Sequence, residues 1–156
     1  MEQEMTPQEA LPKMRALLEE GLSFRLTVTG TSMVPFLRHK KDAVILSLWD
    51  ETAAAGDIFF YVTPSGRPLL HRYHKTTPEG DFILCGDHQS NLELVKPEWV
   101  WGKVSQIERN GKRFSAGHWL WRLLSRAWIG LYPVRPRLVK MMQWAYRFKC
   151  GSFGRK

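Results

Sequence analysis

Apolar side chains recur at helical spacing near the start of the chain, at Leu11, Met14, Leu17 and Leu18. Ahead of them, Thr6-Pro7-Gln8-Glu9 has the form of a capping box with proline at the first helical position, and Gly21 suits the residue just past a helix end. This predicts an amphipathic helix from about Pro7 to Glu20 that covers one side of a sheet. From Ser23 the period drops to two: Phe24, Leu26 and Val28 alternate with polar neighbours, as in a half-buried strand. Further strands are predicted at Ala43–Trp49, Ile58–Val62, Pro68–Tyr73, Asp81–Cys85 and Trp99–Ile107. Gly, Pro, Asn and Asp clusters separate them, including Thr63-Pro64-Ser65-Gly66 and the hairpin-type Asn110-Gly111. Many short strands between turns imply an antiparallel, partly closed β-fold.

After Phe114 the helical period returns. Trp119, Leu120, Leu123, Leu124, Ala127, Trp128 and Leu131 fall on one stripe, and Leu138, Met141, Met142, Ala145 and Phe148 on a second, with Pro133 and Pro136 between them. The expected organisation is a β-domain with its N-terminal helix over residues 1–114, then a basic, Trp-rich tail of two amphipathic helices over 115–156.

Charge divides at the same place. The net charge of the 156 residues is +8, yet the last acidic residue is Glu108. Residues 1–108 carry a net −4, and residues 109–156 carry 12 basic groups and no acid. The anionic partner implied by such an asymmetry belongs to the tail and not to the body. Basic residues mixed with Trp suit an anionic membrane surface, met through residues 117–149, better than nucleic acid, for which no recognised motif is present. The polar, acidic start is unlike a secretory leader, and no run of 18 apolar residues free of charge occurs. The expected location is the cytoplasm, with a peripheral position at the inner face of the membrane. Two cysteines, Cys85 and Cys150, are too few for a disulfide framework or a metal knuckle. Cys85, in an apolar run, reads as a small buried hydrophobe, and no metal or cofactor is implied.

Gly30-Thr31-Ser32-Met33-Val34-Pro35 interrupts the strand pattern and places a serine in a Gly/Pro turn. Alone, such a serine is an ordinary turn residue. Here Gly56-Asp57 before a strand, His71-Arg72 within one, Gly86-Asp87 after one and Gly102-Lys103-Val104 beyond follow in order. A serine hydroxyl needs a base within hydrogen-bond reach to become a nucleophile, and neutral histidine serves near pH 7.

The ordered set, over about residues 24 to 107, resembles the signal peptidase I family and the wider group that includes LexA-type self-cleaving repressors. Ser32 to Pro35 match the Ser-Met-x-Pro nucleophile motif. His71-Arg72 is similar to the base motif of the archaeal and endoplasmic-reticulum type, where His replaces Lys. Gly86-Asp87 resembles the Gly-Asp box. The resemblance implies a strongly bent antiparallel β-structure with a cleft, and a serine endopeptidase acting on a peptide or leader through a Ser32–His71 dyad and an acyl-enzyme. Asp87 would orient His71 or support the site from behind, and Arg72 and Gly86 would support it. Gly30, Thr31, Met33 and Pro35 would line the substrate and oxyanion region. Gly30 stands where bacterial members often carry Ser, so the oxyanion would rely on backbone N–H groups, including that of Ser32.

Other readings of the residues stay open. Asp87 could instead cap the turn after Gly86. Glu93 falls where the family often has another acid. Lys75 shares the face of His71 near a loop, His74 takes the opposite face, and His88 reads as a solvated loop residue. The alternatives to an enzyme of this type are a non-catalytic peptide- or partner-binding member of the same fold and a self-cleaving regulator.

Overall fold

The computed structural model describes residues 7–151. Thr6, the proposed helix cap, lies outside them. Helix α1 runs Pro7–Glu19. It ends in a Schellman turn: the Leu22 N–H donates to the Leu17 carbonyl and the Gly21 N–H to that of Leu18, with Gly21 at φ 77°. Eight strands follow: β1 (Phe24–Thr27), β2 (Asp42–Leu48), β3 (Ile58–Val62), β4 (Pro68–Thr76), β5 (Phe82–Cys85), β6 (Glu93–Val95), β7 (Val100–Arg109) and β8 (Lys112–Ser115). Two helices complete the order, α2 (Trp119–Gly130) and α3 (Arg135–Gly151).

The strands form one antiparallel sheet in the order β1-β2-β7-β3-β4-β5-β6, with β8 folded back on β7. The path does not close, and β1 and β6 are its ends. The protein is therefore mainly β, with one N-terminal and two C-terminal helices. Register shifts interrupt β2–β7 at Ile45/Leu46, β3–β7 at Phe60/Tyr61 and β4–β5 between Tyr73 and Lys75. Such extra residues bend a strand and sharpen its twist.

β3 shows why its whole sequence is apolar. Ile58 and Phe60 enter a cluster with Met14, Leu18, Leu46 and Val104, while Phe59 and Tyr61 enter a second with Tyr73, Phe82 and Leu84. A strand covered on both faces cannot alternate apolar with polar.

Two details differ from the sequence expectation. β4 continues past Tyr73 to Thr76, with His74 as the extra residue of its bulge. β6 and β8 were not anticipated, because strands of three and four residues leave too short a pattern to read. The apolar stripe read on α2 is not the face that packs on the body. Leu120, Leu123, Leu124, Ala127 and Leu131 are exposed, while Trp121 and Ser125 are buried against the body and Trp128 is half-buried. Trp121 belongs to the first core cluster and meets Phe36 edge-on at 5.4 Å and Phe114 at 5.3 Å. The basic segment is thus fastened to the β-structure through α2.

Asp42, at the start of β2, is withdrawn from solvent between Arg38 and Arg109. Burial opposes its ionisation, but the bonds from Arg38 and Arg109 outweigh burial and hold its pKa down to about 2. A depressed carboxyl pKa adds stability above the unfolded value, 3.8, and loses it as pH falls toward the folded one. Asp42→Asn is expected to lower unfolding free energy by about 2–4 kcal/mol at pH 7. In urea titrations that difference should shrink between pH 4 and pH 2; a pH-independent difference would refute the assignment.

Candidate functional site

The Gly30–Pro35 turn leaves β1 and is nailed down at both ends. Gly30, at φ 85°, donates its N–H to His39 Nδ1 at 2.8 Å. That φ favours glycine, because a Cβ would crowd the backbone there. Met33, almost fully buried, packs into the first core cluster, so its side chain anchors the turn and does not line a substrate surface, as had been expected. Thr31 is exposed, and Ser32 and Pro35 are partly exposed. Among the described residues, the N–H groups of Ser32 and Met33 take no partner. The turn therefore holds two consecutive backbone donors with no backbone partner among the described residues.

Gly86 sets how close this turn comes to the end of β5. A Cβ on Gly86 would lie 2.7 Å from the Ser32 carbonyl oxygen, nearer than packing allows. The next N–H but one, that of His88, donates to the same carbonyl at 2.8 Å. Asp87 lies between them and is fully buried, as is Arg72. Arg72 Nε and Nη2 reach Asp87 Oδ1 and Oδ2 at 2.7 and 2.6 Å, a bidentate pair. Arg72 Nη1 also donates to the Gly56 carbonyl and to Ser125 Oγ of α2, and the guanidinium stacks 4.5 Å from the Phe36 ring.

Of the two roles expected for Asp87, orienting His71 is overturned, while support from behind the site is compatible with its pairing to Arg72. Both its oxygens are taken by Arg72, and the acid that meets His71 is Glu93 on β6. Its Oε2 lies 3.1 Å from His71 Nδ1, and Tyr61 Oη lies 2.9 Å from the same nitrogen. Tyr61 Oη donates to Glu93 Oε2 as well. Burial and then the Glu93 carboxylate push the Tyr61 phenol far above its usual pKa, so it keeps its proton. The bond from His71, then that from Tyr61, lowers the Glu93 pKa against burial, so Glu93 is the acceptor of both. In the neutral tautomer that this arrangement favours, Nδ1 carries the hydrogen and Nε2 the lone pair. Nε2 is buried and takes no hydrogen bond. Ser32 Oγ and His71 share no hydrogen bond either.

The other candidates separate from this centre. His74 stands edge-on to Tyr132, and burial, aided by Arg135 and Arg72, lowers its pKa to about 4. Lys75 is exposed. His88 is not a solvated loop residue: it is half-buried, and its Nε2 lies 2.8 Å from Gln143 Nε2 of α3. Cys85 is a buried free thiol, as expected, with its pKa raised to about 11 by burial. The Cys150 side chain lies outside those described. A groove of about 630 Å³ runs beside the serine turn, between Val34 and Pro35 on one wall and His88, Met142 and Gln143 on the other.

Tyr61 and His39 were missed in the sequence. Tyr61 sits in a run that reads as core, and only the β3–β4 register, which pairs Phe59 with His71, brings it to the imidazole. No family model and no curated protein matches the chain.

The two acids should separate by stability. Asp87→Asn removes the countercharge of a buried guanidinium and is expected to lower unfolding free energy by about 3–5 kcal/mol. Glu93→Gln, at a partly exposed edge strand, should lower it by about 1 kcal/mol. Urea midpoints of both variants check this; equal losses would return Asp87 and Glu93 to equivalent roles.

Proposed function

We propose that the protein is a serine endopeptidase, similar to signal peptidase I-type enzymes, that cleaves a peptide or leader substrate through Ser32 and His71. The observation that carries this reading is the state of His71. Its Nδ1 is held by Tyr61 and Glu93, while its Nε2 is shielded from water and free to accept a proton. That is the tautomer a general base requires.

In the proposed reaction Ser32 Oγ attacks the scissile carbonyl as its proton passes to His71 Nε2. The negative charge on Glu93 then faces the imidazolium. The oxyanion is received by the Ser32 and Met33 N–H groups, in keeping with the absence of a hydroxyl at Gly30. His71 returns the proton to the leaving amine, leaving an acyl-Ser32. A water molecule, deprotonated by His71, releases the second product. The Ser32–His71 hydrogen bond would form when substrate excludes water, since catalytic bonds are often long in free enzymes. The groove of about 630 Å³ beside Val34 and Pro35 has the volume of a ligand site.

A second reading is a peptide-binding module on the same site, and the missing Ser32–His71 bond favours it. Reaction with a fluorophosphonate probe separates the two. The enzyme reading expects labelling at Ser32, none in Ser32→Ala, and a rate lowered by roughly 10²–10⁴ in His71→Ala. No labelling of folded wild-type protein would leave the binding module.

If Glu93 steadies the imidazolium, Glu93→Gln should slow labelling by roughly 10–10³ with little loss of stability. Asp87→Asn, by contrast, should impair labelling only in step with unfolding. Labelling unaffected by Glu93→Gln would remove Glu93 from the site.

A further inference from the structure

Among the described residues, the outward face of α2 is left exposed. Leu120, Leu123, Leu124, Ala127 and Leu131 form an exposed stripe at the i, i+3, i+4, i+7 and i+11 positions, with Trp119 exposed at the start. Leu123 is 57% exposed and Trp119 69%. Beyond Leu131, Val134, Met141 and Trp144 are also exposed. An apolar stripe of this length on one helix face marks a docking surface.

Charge identifies the occupant. Arg126, Arg137 and Lys140 are exposed alongside these residues, and no acidic residue occurs after Glu108. A second copy of this chain, docked by two-fold symmetry, would bring two such basic surfaces together. An anionic bilayer offers the opposite charge and an apolar layer in one partner. No helix among the described residues is long and apolar enough to cross a membrane. An interfacial position is the geometry left to such a helix.

We propose that α2 lies in the surface of an anionic membrane, with Leu120, Leu123, Leu124 and Leu131 in the acyl boundary and Arg126, Arg137 and Lys140 at the headgroups. The other side of the same helix holds the Arg72–Asp87 pair through Ser125 Oγ and Trp128 Nε1, which donates to the Asp87 carbonyl at 3.2 Å. Helix α2 is about 10–12 Å across with its side chains. Docking would therefore set the buried ion pair about one helix diameter from the lipid surface. This inference stands on the exposed face of α2 and does not depend on the peptidase reading.

Flotation of the purified full chain with vesicles tests it. Vesicles of phosphatidylcholine with phosphatidylglycerol should carry the protein, and phosphatidylcholine alone should carry much less, with recovery falling as salt rises. The double change Leu123→Glu and Leu124→Glu, at exposed positions, should reduce vesicle binding by about tenfold or more while leaving the urea midpoint unchanged. Arg126→Glu with Arg137→Glu and Lys140→Glu should abolish the preference for phosphatidylglycerol. The proposal is overturned if wild-type protein fails to float with the anionic vesicles, or if the leucine variant floats equally well. It is also overturned if the leucine changes convert a dimer to a monomer in protein that does not float.

Discussion

Arg72 carries a full positive charge in a place with no access to water, and four other parts of the chain converge on it. Asp87 supplies the countercharge in bidentate geometry, Gly56 a carbonyl, Ser125 a hydroxyl and Phe36 an aromatic face. These groups come from the end of β5, the turn before β3, helix α2 and the segment after the serine turn. A buried ion pair of this kind adds little net stability relative to apolar packing, but it tolerates almost no displacement. A guanidinium short of one partner would strand a charge or a donor in a low-dielectric interior. The effect is positional: four segments distant in sequence are tied to one guanidinium.

The serine turn inherits its position from this pair. Asp87 is fixed by Arg72, so its neighbours Gly86 and His88 are fixed too. Gly86 admits the Ser32 carbonyl where any side chain would repel it, and the His88 N–H fastens that carbonyl. From the other end, Met33 is sunk in the core and Gly30 is bound to His39. On β4, His71 neighbours Arg72 in sequence and is fully buried with it, on the opposite face of the strand. One strand therefore places the structural cation and the imidazole together. A change at Asp87 and a change at Glu93 then act on different objects: the frame in one case, the ring nitrogen in the other.

The fold was largely legible because its elements are strongly patterned. α1, β2, β3 and β5 appear within one or two residues of their expected limits, since each is bounded by a turn residue with a physical task, such as Gly21. β6 and β8 were not, because their existence depends on partners, β5 and β7, and not on their own pattern. The candidate site was legible as a set of residues and not as a set of contacts. Ser32, Arg72, Gly86 and Asp87 do converge, while the contacts of His71 run to Tyr61 and Glu93. The resemblance implied that Asp87 would orient His71 or support the site from behind; a fully buried arginine has the stronger need of a carboxylate, and it takes both Asp87 oxygens. The histidine is left to Glu93 and Tyr61, one from the sheet's edge strand and one from its middle, a pairing that only the register reveals.

Helix α2 shows the same competition at larger scale. Its most apolar stripe would bury best by area alone, at about 25 cal/mol per Å². The groove it occupies, however, contains the Arg72 guanidinium, the Asp87 carbonyl and the edge of Phe36, which demand a hydroxyl and indole rings. Ser125, Trp128 and Trp121 meet those demands, and all lie on one side of the helix. Ser125 also has its Cβ in the space beside Gly56 that a second Cβ would contest at 3.1 Å. Turning the leucines inward would leave an arginine donor unpaired and would take Trp121 and Trp128 out of their contacts with Phe36. The exposed stripe is therefore a consequence of satisfying the buried cation first, and it leaves the apolar face available to whatever lies outside the protein.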